Sequence, residues 1–173
     1  MRTIWRQPAV MAALMGLCVA SGFGDSGARR IHARLRGFNE VPSISTVATG
    51  DFDARIDRAE TELTYDLEFS GLEGTVTQSH VHIGQTGVNG GIMFFLCGTT
   101  ANPGPTGTPV CPASGKVSGV VTAARVIGPD GQGIEPGAFA EALRAIRAGF
   151  AYANVHSTKW PGGEIRGQIR GED

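Results

Sequence analysis

Apolar and polar residues alternate one for one in segment after segment of this chain, and that pattern narrows its folding options more than any other feature. Ile31-His32-Ala33-Arg34-Leu35-Arg36 alternates in this way, and Glu62-Leu63-Thr64-Tyr65-Asp66-Leu67-Glu68-Phe69 places Leu63, Tyr65, Leu67 and Phe69 on one side. Successive side chains of a strand point to opposite faces, so the pattern specifies β-strands with one buried face. Further strands are predicted over 47–56, 76–83, 92–96, 116–127, 150–156 and 164–170, and the 26 glycines supply the joints. A helix is predicted near residues 136–148, with Pro136 in its first turn and Gly149 as its stop. Phe139, Ala142, Leu143 and Ile146 form its apolar stripe, which should plug one end of the β core. The expected fold is all-β, a Greek-key or immunoglobulin-like β-sandwich or barrel of about eight strands with that one short helix.

A chain of 173 residues needs no second domain. Arg2 and Arg6, the apolar run from Ala9 to Leu17 and the small residues Ala20-Ser21-Gly22 have the layout of a secretory signal peptide. The run is too short for an ordinary membrane span, and the later strands are too interrupted to supply one. Leu17 precedes Cys18 where lipid attachment wants a small residue. The organisation read from the chain is therefore a signal peptide over 1–20, a linker over 21–29, a β domain over 30–170 and a tail over 171–173, in a secreted or periplasmic protein. Removing residues 1–20 leaves 13 of the 15 basic residues against 16 acidic ones, a formal charge of −3. Such a mild balance offers no broad footprint for nucleic acid.

Cys97 and Cys111 then remain, with Asn102-Pro103-Gly104-Pro105 and Gly107-Thr108-Pro109 between them. In an oxidising compartment they read as a disulfide that closes one loop and contributes roughly 3 kcal/mol. Their spacing fits no common zinc pattern.

Two segments carry the chemistry. His80 and His82 share a strand face about 7 Å apart at the backbone, close enough for their imidazoles to meet one copper or zinc ion. A neighbouring strand with His156 would bring a third ligand. Between 150–156 and 164–170 lies Ser157-Thr158-Lys159-Trp160-Pro161-Gly162-Gly163, a turn-rich linker that favours an antiparallel hairpin. A register centred on Trp160 sets His156 opposite Glu164, Asn154 opposite Arg166 and Tyr152 opposite Gln168. Asn154, Glu164, Arg166 and Gln168 then form a polar cluster on one face, with Ala151, Ala153, Val155, Ile165 and Ile169 on the core face. A buried Arg166 needs Glu164 or another carboxylate, and Asn154 and Gln168 suit loop backbone.

The order of several motifs resembles the CHRD domain, a family first named from chordin and widespread in exported bacterial proteins. The resemblance runs over about residues 30–170. It rests on Gly37-Phe38-Asn39-Glu40-Val41-Pro42, Ser79-His80-Val81-His82-Ile83-Gly84 with Gly87-Val88-Asn89-Gly90-Gly91, Tyr152-Ala153-Asn154-Val155-His156-Ser157 and Gly163-Glu164-Ile165-Arg166-Gly167-Gln168-Ile169. Gly91 stands where the family commonly has Pro, and Ser157 where it commonly has Thr. The resemblance implies an immunoglobulin-like or related barrel and an extracellular setting. His80-Val81-His82 with Gly87 and Asn89 also has a local similarity to the copper-binding strand of copper/zinc superoxide dismutase, whose remaining ligand pattern is absent.

No Gly-x-Ser-x-Gly elbow and no His-Glu-x-x-His helix is present, and no catalytic residue is assigned. Glu164 beside His156 is the one acid/base pair to weigh, and more often such a carboxylate orients a histidine. Two functions stand: an exported binding or structural module for an extracellular or periplasmic protein or small ligand, and a copper- or zinc-binding protein using His80, His82 and His156, with redox activity open to it.

Overall fold

A computed structural model describes residues 29–172. The segment 1–20, read from the sequence as a signal peptide, lies outside them. The strands are β1 (Arg30–Arg36), β2 (Thr49–Ile56), β3 (Leu63–Ser70), β4 (Val76–Ile83), β5 (Ile92–Gly98), β6 (Gly115–Val121), β7 (Ala151–Ser157), β8 (Ile165–Gln168) and β9 (Arg170–Glu172), with one α-helix among the described residues, α1 (Phe139–Arg147). They form a nearly closed, barrel-like antiparallel sheet in the order β5-β4-β7-β8-β1-β2-β3-β6, and β9 pairs with β1 beside β8. The all-β architecture with one helix is the one expected. No helix among the described residues is long and apolar enough to cross a membrane.

The period-two pattern sets the register of the long meander. β1 pairs Ala33 with Phe52 of β2, and β2 pairs Phe52 with Leu67 of β3, so the inward residues of three strands meet in one core. Slipping any of them by one residue would turn those side chains to solvent. Tyr65 is buried among them and its hydroxyl donates to the Leu96 carbonyl on β5, fastening the meander to the histidine half of the barrel. Cys97 and Cys111 form the disulfide.

Three boundaries differ from the sequence reading. The strand expected over 116–127 ends at Val121, because the chain turns through Ala123–Arg125, where Arg125 N–H donates to the Thr122 carbonyl at 2.9 Å. The Arg125 guanidinium then donates to the Gly107 carbonyl and clamps the disulfide loop. The helix starts at Phe139 rather than near Pro136, since Gly137 takes a left-handed φ of +85° that no helical turn accommodates. Its stripe of Phe139, Ala142, Leu143 and Ile146 is buried as expected. The strand expected over 164–170 breaks at Ile169, whose N–H turns to the Ala151 carbonyl at 2.9 Å. Beyond it β9 carries the chain along β1 to Glu172, into the segment read as a tail.

Candidate functional site

The site grows from three neighbouring strands. β4 pairs with β7 so that Gln78 faces His156, His80 faces Asn154 and His82 faces Tyr152. β7 pairs with β8 so that Tyr152 faces Gln168 and Asn154 faces Arg166. This is the hairpin register expected about Trp160. Val81, Ala153, Val155 and Ile165 are fully buried in the apolar core. The alternate residues, His80, His82, Asn154, His156 and Arg166, stand on the opposite face of the sheet and are buried too. Every residue of β7 is buried, so both faces of this strand are covered.

Loop backbone provides part of that cover. The His82 Nδ1 lies 2.9 Å from the Gly90 carbonyl, and the His156 Nδ1 lies 2.8 Å from the Pro161 carbonyl. A carbonyl oxygen only accepts, so both rings carry their proton on Nδ1 and turn an unprotonated Nε2 the other way. A glycine is required at position 90, because a Cβ there would run into the Ile83 carbonyl and push the loop off His82.

The three rings converge. The His80 Nδ1 and His156 Nε2 are 3.1 Å apart, and one ring nitrogen from each of His80, His82 and His156 falls within 4.8 Å of the other two. Nitrogens sharing one ion at about 2 Å are no more than about 4.2 Å apart, so coordination needs a contraction well under one residue's spacing. Asn154 Oδ1 lies 3.1 Å from His156 Nε2. The Nε2 atoms of His80 and His82 are buried without a hydrogen-bond partner. His80 packs edge-on against Phe95 at 4.3 Å between ring centres, and His82 stacks parallel on Tyr152 at 4.8 Å.

Burial and mutual proximity keep these rings neutral. Burial, reinforced by His156 and His82, pushes His80 down to about 2. His82 falls to about 4, again chiefly by burial, with the Gly90 carbonyl pulling the other way. His156 is lowered by burial against the pull of Pro161. Neutral imidazoles are the state a metal requires of its ligands, and His82 and His156 keep an unprotonated Nε2.

The rest of the polar cluster divides. Arg166 is 2 % exposed and lies with its Cζ 3.3 Å from the centre of the Tyr152 ring. It donates to Asn89 Oδ1 at 2.9 Å, the Val88 carbonyl at 2.7 Å and the Gln85 carbonyl at 3.3 Å. Gln168 donates to the Gly84 and Gly149 carbonyls, tying down loop backbone. Glu164 does not join them. It lies just before β8, and its Oε1 accepts from the Glu73 N–H at 2.7 Å and the Thr46 hydroxyl at 2.9 Å. The pairings of Glu164 with Arg166 and with His156 are thus not formed, and the acid/base pair weighed from the sequence has no geometry behind it.

Asn89 and Glu40 stand in the sequence motifs without a role at the site, and Phe95 and the carbonyls of Gly90 and Pro161 are not marked there at all. Asn89 bridges the site, accepting from Arg166 while donating to the Val41 carbonyl at 3.0 Å. The carbonyls had no signal beyond the Gly- and Pro-rich composition of their loops.

No curated protein and no solved structure shows a significant match to the chain. The family model for the CHRD domain matches residues 31–169, which span all the strands that build the site, and the chain belongs to the CHRD family.

Proposed function

We propose that this CHRD domain is an exported binding module whose ligand is a single copper or zinc ion, held by His80, His82 and His156. One observation carries the reading. Two of the three histidines have their Nδ1–H committed to a backbone carbonyl, the outer-sphere arrangement that fixes the tautomer of a metal-binding imidazole. The His156 Nε2 that this tautomer leaves unprotonated lies 3.1 Å from a His80 ring nitrogen, where an ion would draw on its lone pair. Imidazole donors suit zinc and copper alike. Three protein ligands leave a fourth position open, and Asn154 Oδ1, 3.1 Å from His156 Nε2, is a further donor within reach. Export is supported by the disulfide, which persists in oxidising compartments.

Elemental analysis after dialysis against copper or zinc tests the reading. One ion per wild-type chain is expected, and none in the variant His80→Ala, His82→Ala, His156→Ala. Equal binding by the two proteins would remove the basis of the proposal.

A further inference from the structure

We propose that the cleft between the 38–43 loop, the 86–87 turn and the β8–β9 edge binds a small organic carboxylate with a flat apolar body, gripped by Arg166 and Arg170. The cleft has a volume of about 450 Å³, which suits a small molecule, and none of the three histidines lines it. The inference therefore stands apart from the metal reading.

Arg166 carries a charge that no ion pair among the described residues compensates. It is almost wholly buried, and its three hydrogen bonds all end on neutral amide or carbonyl oxygens. A buried guanidinium ordinarily has a carboxylate partner, because desolvating it without one is costly. Three of its five N–H groups are used, which leaves two for a ligand. Arg170, exposed and also lining the cleft, adds a second guanidinium. An anion that reaches both supplies the missing countercharge.

Glu40, on the same wall, does not fill that role. It is 5 % exposed, it makes no ion pair with Arg166, and its Oε1 has no hydrogen-bond partner. Burial, opposed by the Arg166 charge and the Val41 N–H, raises its carboxyl to about 7, so it serves a bound carboxylate as a proton donor as readily as it repels it. The apolar part of the ligand has its own surface. Phe38 is 71 % exposed at the mouth of the cleft, and Pro42 lies on the same loop. A large exposed aromatic beside convergent polar groups is the composition of a recognition site.

Benzoate is the probe, with benzamide as its neutral twin, in ¹H–¹⁵N titrations of the mature protein. Benzoate is expected to shift the amides of Thr86, Gly87 and Gln168 saturably, and benzamide to bind at least about tenfold more weakly for want of charge-assisted hydrogen bonds. The exposed substitution Arg170→Gln should keep the fold and weaken benzoate about fivefold. Glu40→Gln, which removes the one acidic group on the wall, should bind benzoate at least as tightly as the wild type in mildly alkaline buffer. Equal affinity for benzamide, the absence of a saturable shift, unchanged binding by Arg170→Gln or weakened binding by Glu40→Gln each overturns the assignment.

Discussion

The Oδ1 of Asn154 and the Nε2 of His156 stand 3.1 Å apart, and both are acceptors when His156 carries its proton on the Nδ1 that faces Pro161. Two lone pairs at hydrogen-bond distance repel unless the amide turns over to donate or a cation lies between them. In the proposed metal site Asn154 Oδ1 would share the ion with His156. Asn154→Leu, close in volume, is expected to weaken copper or zinc about tenfold, the usual cost of losing a group next to the ligands. Metal titration followed by competition with a chelator measures it. Wild-type affinity in the variant would return Asn154 to scaffolding.

Arg166→Ala is expected to destabilise the domain by roughly 3 kcal/mol, since it removes the side-chain donor to Asn89 Oδ1 and uncovers the face of the buried Tyr152 ring that the guanidinium covers. Three loop acceptors lose their anchor in one step. Arg166→Lys should recover only part of this, because an ammonium cannot reproduce the planar fork that spans Asn89, Val88 and Gln85. Urea unfolding of the three proteins gives the comparison, and a shared midpoint would show that the loop is held by other contacts.

Reducing the Cys97–Cys111 bond opens a loop of 14 residues' separation and should lower stability by roughly 3 kcal/mol. The histidine cluster should survive this, because β4 remains paired with β7 on the side away from the bond. Thermal unfolding with and without reductant, monitored beside metal binding, separates the two effects. Loss of metal binding on reduction would place β5 in the site's support.

The strands were legible because their side chains obey one rule everywhere: Leu63, Tyr65, Leu67 and Phe69 face inward for the same reason that Thr64 and Glu68 face out. The hairpin register followed from the symmetry of its turn about Trp160, and with it the meeting of Asn154 and Arg166. The alternation says less where a strand is covered on both faces. β7 is buried throughout, so polarity marked its site face without revealing what lay above it. Glu164 shows the limit. Its residue type and register pointed to His156 or Arg166, but a side chain just before β8 is aimed by the local turn, and the loops at Thr46 and Glu73 claim it. Glu40 stands in the sequence only as a member of the motif over residues 37–42, since nothing local announces that a carboxylate 5 % exposed in the fold will feel the charge of Arg166.

The metal-free protein should lose stability in mild acid. His80 and His82 have folded-state values of about 2 and about 4, below the 6.5 of an unperturbed imidazole. In that interval the unfolded chain binds more protons than the native one, so stability rises with pH. Their contribution is complete above about 6.5 and is lost as pH falls, down to about 4 for His82 and further for His80. Each costs about 1.4 kcal/mol per pH unit while the gap persists. Glu40 acts in the opposite sense, since its raised value of about 7 against 4.5 makes the native state the better proton acceptor in that window. Between those limits it cancels one histidine, and the other leaves a net loss of about 1.4 kcal/mol per pH unit, to which the lowered His156 adds. Urea midpoints measured from neutral pH down to the acid range check the slope. The same series with His80→Ala, His82→Ala and His156→Ala together should reverse its sign, because Glu40 alone then titrates in the window. A flat profile in the metal-free wild type would mean that the imidazoles are hydrated and protonated in the native state.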